Sequence, residues 1–172
     1  MPLGPTRDLG HCEAWWNSAK VGEYWDSVGV RFSGTEAEVF EASFGTTPVD
    51  CVITGQMPME VDVPFTRLTL AKLASIIPGG SNSGGESGNV AVYDNKVGDA
   101  VVADSLAKEL IIKPIHNSTV SAEQYWLHVP LAYPKPNFDF AYNNDNQRVY
   151  MTTFKSYPNA TSKLTWHIGN IT

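Results

Sequence analysis

Residues Cys51–Phe65 read CVITGQMPMEVDVPF. Cys51, Ile53, Gly55, Met57, Met59, Val61, Val63 and Phe65 hold the odd positions, and from 54 onward Thr54, Gln56, Pro58, Glu60, Asp62 and Pro64 the even ones. Successive side chains of a strand leave opposite faces of the pleat, so this period of two predicts one long β-strand, apolar on one face and polar on the other. At ~3.3 Å per residue it would run about 50 Å. Pro58 and Pro64 have no N–H to give a ladder, so the strand is an edge, a bulge or a bend there.

Downstream the period changes. Leu70, Leu73, Ala74 and Ile77 follow an i, i+3, i+4, i+7 stripe, Thr66 or Thr69 can cap it, and Pro78-Gly79-Gly80 ends it. A helix over 68–77 would lay Leu70, Leu73 and Ile77 on the apolar strand face of Met57, Met59, Val61 and Val63. The Gly/Ser/Asn-rich segment 79–89, with Gly79, Ser83 and Gly88, reads as a flexible loop. Ala100–Leu106 can hold a helical turn. Leu110–Ile115, Tyr125–Leu131, Asn137–Tyr142, Gln147–Tyr157 and Lys163–Ile168 read as strands.

Upstream, Val30 and Phe32 alternate with Arg31 and Ser33, and Glu36–Phe44 reads as a further strand before the break at Gly45-Thr46-Thr47-Pro48. Residues 1–28 show no clear period and read as an extended N-terminal arm. Trp15, Trp16 and Trp25 on that arm would need cover from their own domain or from a neighbouring chain. The expected class is mainly β: an antiparallel sandwich or barrel over 29–172, with one packed α-helix.

A chain of 172 residues is about one domain. Its 12 Lys and Arg stand against 18 Asp and Glu, a net −6 that disfavours a protein gripping nucleic acid by its phosphates. Cys12 and Cys51 are too few for a disulfide framework and read as buried thiols. The first thirty residues lack an apolar signal-peptide core, and Leu110-Ile111-Ile112, the longest aliphatic run, is far short of a membrane span. The expectation is a soluble chain made in the cytoplasm.

Motifs of catalysis are missing: no GxSxG, Walker A, HExxH or EF-hand pattern occurs. His11, His116, His128 and His167 do not lie at metal-ligand spacing, so no metal or other cofactor is expected. His128 reads as a half-buried, hydrogen-bonded side chain and His167 as a surface one. Glu36/Glu38 and Glu60/Asp62 could form a glycosidase pair, but carboxylates two apart on one strand more often make a solvated face. Asn117, Asn159 and Asn170 head glycosylation triplets that, without a signal peptide, mark only polar loops. From Phe32 to Thr66 there are six acidic residues and no Lys or Arg, which predicts a surface of one sign.

The ordered series VFEASFGTTPVDCVITGQMPMEVDVPFTRLTLAKLASIIPGG (Val39–Gly80) resembles the central segment of phage tail tube proteins, also called major tail proteins. The matching positions are Gly45, Thr47, Pro48, Val49 and Asp50, then Ile53, Thr54 and Gly55, then the helix and Pro78-Gly79. Gly4-Pro5-Thr6-Arg7, Glu109–Ile115 and Ala132–Asn159 are similar to the family's start and later strands. The resemblance implies a structural, non-enzymatic virion protein made in the host cytoplasm. Six-fold rings of it would stack into a tube that conducts DNA without binding it, alongside tape-measure, tail-terminator and tail-tip partners. On that reading Thr54, Gln56, Glu60 and Asp62 would line the lumen. Trp15, Trp16, Trp25, Gly79, Ser83 and Gly88 would lie in the arm and loop that contact other subunits. The alternative from the residues alone is a small carbohydrate- or ligand-binding β module using Trp15, Trp16 or Trp25 as a stacking platform.

Overall fold

A computed structural model of the chain describes residues 12–21, 23–24, 27–32, 34–54, 58–78, 80–84, 88–92, 106–116, 119–135 and 149–170. The strands are β1 (Cys12–Trp16), β2 (Ala19–Lys20), β3 (Glu23–Tyr24), β4 (Gly29–Phe32), β5 (Thr35–Phe40), β6 (Pro48–Thr54) and β7 (Met59–Thr66). They continue with β8 (Gly80–Ser83), β9 (Asn89–Val92), β10 (Lys108–His116), β11 (Thr119–Val120), β12 (Leu127–Pro134), β13 (Tyr150–Tyr157) and β14 (His167–Ile168). One helix, α1 (Leu70–Ile76), lies between β7 and β8. The protein is mainly β, with one large antiparallel sheet and a single α-helix among the described residues, as the alternation of apolar and polar residues implies.

The large sheet orders its strands β2-β1-β10-β12-β13-β7-β3, with β4 also on β7, β11 on β10 and β14 on β12. Among the described residues this path does not close into a barrel. It does curl. The rings of Trp16 on β1 and Phe154 on β13 meet at 4.9 Å although two strands stand between them. Three strand spacings of ~4.8 Å would hold them ~14 Å apart in a flat sheet, so the sheet wraps its inner face around its own core. That core holds Ala14, Trp16, Met59, Val61, Val63, Phe65, Leu110, Ile112, Val129, Ala132 and Phe154. Between Lys108 and Leu110 the register with β12 shifts, so Val129 and Ala132, three apart, both face inward.

The sequence reading is corrected at several elements. The predicted single strand 51–65 is two: β6 pairs only with β5 in a separate ribbon, while β7 joins the large sheet. Both keep the period of two; the difference lies around Pro58, whose missing N–H suits a break. Residues 12–20, read as part of an arm, are built into the sheet, and Trp16 is only 4% exposed. Aromatic spacing hid this, because β1 is half covered on its outer face as well.

Thr69 caps α1, its hydroxyl accepting from the Lys72 N–H at 3.4 Å. The buried helix residues are Ala74 and Ile76 rather than Ile77, because the chain turns extended at Ile77 and ends the helical period there. Leu73 packs against the core and Leu70 is half-buried. The expected loop 79–89 instead forms a small ribbon, β8 with β9, beside α1. Gly88 permits its turn: a Cβ there would fall 1.6 Å from the Ser83 carbonyl oxygen. Strand β13 starts at Tyr150, and 163–168 contributes only His167–Ile168. Cys51 is exposed, not buried. The expected strand 137–142 and the turn 100–105 lie outside the described residues.

Candidate functional site

Three surface features carry polar or apolar groups that the fold itself does not use up. The first is the outer face of the sheet around Glu60 and Asp62. Arg31 stands opposite Glu60 in the β4–β7 ladder, and its guanidinium lies 2.8 Å from Asp62 and 3.5 Å from Glu60. The Lys135 ammonium donates to Glu60, and the Lys135 backbone is tied by its N–H to the Thr153 carbonyl at 2.7 Å. The Thr153 hydroxyl donates to Asp62 at 2.6 Å, and Lys155 sits opposite Glu60 on β13. The Lys135 hydrogen bond, against a smaller opposing effect of burial, holds the Glu60 carboxyl below its ordinary range. Beside it, Tyr133 and Tyr157 meet at 5.1 Å between ring centroids. Burial, the Tyr157 hydrogen bond and nearby charge push the Tyr133 phenol up to about 12.

Around Glu60 and Asp62 the expected one-sign surface does not hold: these two carboxylates stand among three cations, Arg31, Lys135 and Lys155. The cations come from strands distant in sequence, which a reading of residues 32–66 does not see. Glu60 and Asp62 share a face, as their spacing requires, but as ion pairs rather than bare acids. A two-carboxylate hydrolase needs one carboxyl kept protonated, and Glu60 is held the other way. Thr54 lies at the end of β6, while Gln56 and Met57 lie outside the described residues.

The second feature is a row of rings and charge across β1, β10, β12 and β14. Lys113 places its ammonium 3.9 Å from the ring centroids of both Trp15 and Trp126. Trp15 is fixed by its indole N–H donating to Glu13 at 3.0 Å, and Trp126 by its own donating to the Ser121 carbonyl at 2.8 Å. Trp126 stacks on His128 at 6.0 Å, and His128 on His167 at 4.8 Å with the rings 2° from parallel. His128 Nε2 and His167 Nδ1 are buried without a hydrogen-bond partner. Burial, then the neighbouring His128, lowers the pKa of His167. Against the expectation, His128 is buried with its Nε2 unpartnered, its Nδ1 lying 3.9 Å from the Glu109 carboxylate, while His167 is half-buried. A glycan platform on this arm is poorly served: Trp16 is in the core, Trp15 is covered on one face by Lys113, and Trp25 lies outside the described residues.

The third feature is the β5–β6 ribbon. Every residue from Ala37 to Val52 is exposed, including Val39, Phe40, Phe44, Val49 and Val52. A 3-10 turn, Ala42–Phe44, caps the ribbon, and Gly45 follows at φ 66°, where a glycine costs least. Cross-strand pairing holds the ribbon without cover from the large sheet. The alternation that predicts these strands is visible in sequence, but their exposure is not, because an apolar face looks alike whether buried by its own chain or by another. Of the expected contact residues, Ser83 is exposed, Gly88 is half-buried at the β8–β9 turn, and Gly79 lies outside the described residues.

Among the described residues no group of three or more His, Cys, Asp or Glu side chains could hold a metal ion, and no helix is long and apolar enough to cross a membrane. No protein-family model matches the chain, and no curated protein matches it.

Proposed function

We propose that the chain is a structural virion protein of the phage tail tube kind, whose copies join into six-fold rings and stack into a conduit for DNA. The observation that carries this reading is the β5–β6 ribbon. Five large apolar side chains stand exposed on its two strands and the turn between them, which no other element among the described residues pairs with, in a protein otherwise able to bury a core. Apolar surface of that kind marks an interface, and a ribbon reaching out of a sheet suits repeated self-contact. The resemblance of Val39–Gly80 to tail tube proteins, the mainly β class and the single helix support the same reading.

A wall that conducts DNA must not hold phosphate. Unpaired Lys or Arg on each ring would bind it with non-specific dissociation constants of ~10⁻⁴–10⁻⁶ M, multiplied along the tube. Around Glu60 and Asp62 the Arg31 and Lys135 cations are already engaged by carboxylates, which weakens their hold on phosphate and leaves Lys155 as the cation of this face without an ion pair among the described residues. Tape-measure, terminator and tip proteins would be the heterologous partners, and no cofactor enters the function. Negative-stain micrographs of the purified protein test the reading. Rings or tubes with six-fold averages are expected, and featureless single particles across concentration and ionic strength would refute it.

A further inference from the structure

One cleft lies where the end of α1 meets the starts and ends of three sheet strands. It has a volume of about 200 Å³ and is lined by Trp16, Ala74, Ile77, Leu106, Pro134 and Lys108, among others. An apolar cavity of ~150 Å³ accepts benzene, so this cleft has room for one phenyl ring. Lys108 is its charged lining residue; it is exposed, and no carboxylate pairs with it among the described residues.

The ribbon tip has the opposite character. Phe40 is 54% and Phe44 60% exposed. Glu41 shares the tip turn, its carbonyl accepting the Phe44 N–H at 2.9 Å, so a carboxylate and a phenyl ring leave one turn together. Between Thr35 and Thr54 the chain holds Glu36, Glu38, Glu41 and Asp50 and no Lys or Arg. The chain thus owns a ring that it does not house and a ring-sized cleft, and Phe44 does not sit in its own cleft.

We propose that the ribbon tip of one chain docks in the α1 cleft of a second copy, with the Phe44 ring on Trp16, Ile77 and Leu106 and the Glu41 carboxylate on Lys108. Donor and acceptor are different surfaces, so the contact is heterologous. Repeated head to tail, it closes a ring if the rotation closes and otherwise runs on as a filament. The inference rests on the reading that copies of the chain join, and it names which surfaces join.

The test uses the full chain with Cys12→Ser and Cys51→Ser as background. Adding Ala42→Cys, in the same turn as Phe44, and Ser75→Cys at the cleft, and oxidising at high protein concentration, should give a ladder of intermolecular disulfides; Ala42→Cys with Ser162→Cys should give none. Without the cysteines, Glu41→Lys and Lys108→Glu should each raise the critical concentration for assembly by at least about tenfold, and the two together should restore it. Absence of the Ala42–Ser75 cross-link, or assembly unchanged in Phe44→Ser, would overturn the proposal. A Lys108→Glu defect that Glu41→Lys does not rescue would assign the cleft to another occupant and overturn it equally. Tubes that persist in Phe44→Ser would sink the docking while leaving the tube reading intact. A chain that cross-links from Ala42→Cys to Ser75→Cys yet builds no ring or tube would do the reverse.

Discussion

Glu60 shows how a side chain's setting can reverse its first meaning. Alone on an alternating strand it reads as bare negative surface; in the sheet it is held by Lys135 and Arg31. A carboxyl whose folded pKa is depressed contributes stability that is present above its unfolded value, 4.5, and lost as pH falls through the folded value. Lys135→Met should therefore move the Glu60 titration up toward 4.5, lower the stability at neutral pH and flatten its further loss on acidification. Carbon-detected NMR titration of the Glu60 carboxyl, with denaturant unfolding from pH 3 to neutral, measures these effects. An unmoved titration would show that Lys135 does not set it. The polar face itself was readable from residues two apart. Its neutralisation was not, because Arg31 and Lys135 lie 29 and 75 residues away from Glu60 in sequence.

At the level of elements, period is what the sequence transmits and partnership is what it withholds. The alternation in β7, the helical stripe closed by Pro78 and the strands around 110–115 and 150–157 follow from side-chain direction alone. What escaped was the break that sends β6 and β7 to different sheets, and the insertion of β1, whose partner β10 lies about a hundred residues on. Two contrasting substitutions test this division. Phe154→Ala, from a ring fully enclosed between Trp16 and Phe65, should cost ~3–5 kcal/mol in denaturant unfolding. Phe44→Ser, on the exposed ribbon, should leave the stability of the single chain nearly unchanged. Equal losses would mean that the ribbon belongs to the core after all.

Strand β14 offers a pH-dependent case. It is held to β12 by a two-residue ladder and by the stack of His167 on His128. Since the His167 pKa lies below 6.5, the unfolded chain binds the proton more readily than the folded one. That contribution is complete above pH 6.5 and is lost as pH falls below it; Glu109 opposes the effect in part and the stacked His128 adds to it. The wild type should lose stability between pH 7 and 5.5, and His167→Gln should flatten that slope. Parallel slopes in the two proteins would remove His167 from the explanation.

The molecule as a whole joins a curled sheet that buries its own core to a ribbon whose apolar residues stay exposed. The first gathers the apolar residues of the core; the second is the surface on which we propose that copies meet. A self-assembling chain grows with concentration by mass action, whereas a monomeric binding module does not. Mass measured in solution by light scattering across a hundredfold range of concentration tests this most directly. The expected result is a species six times the 18.8 kDa chain mass, extending to larger multiples as concentration rises. A constant mass of one chain throughout would contradict the account.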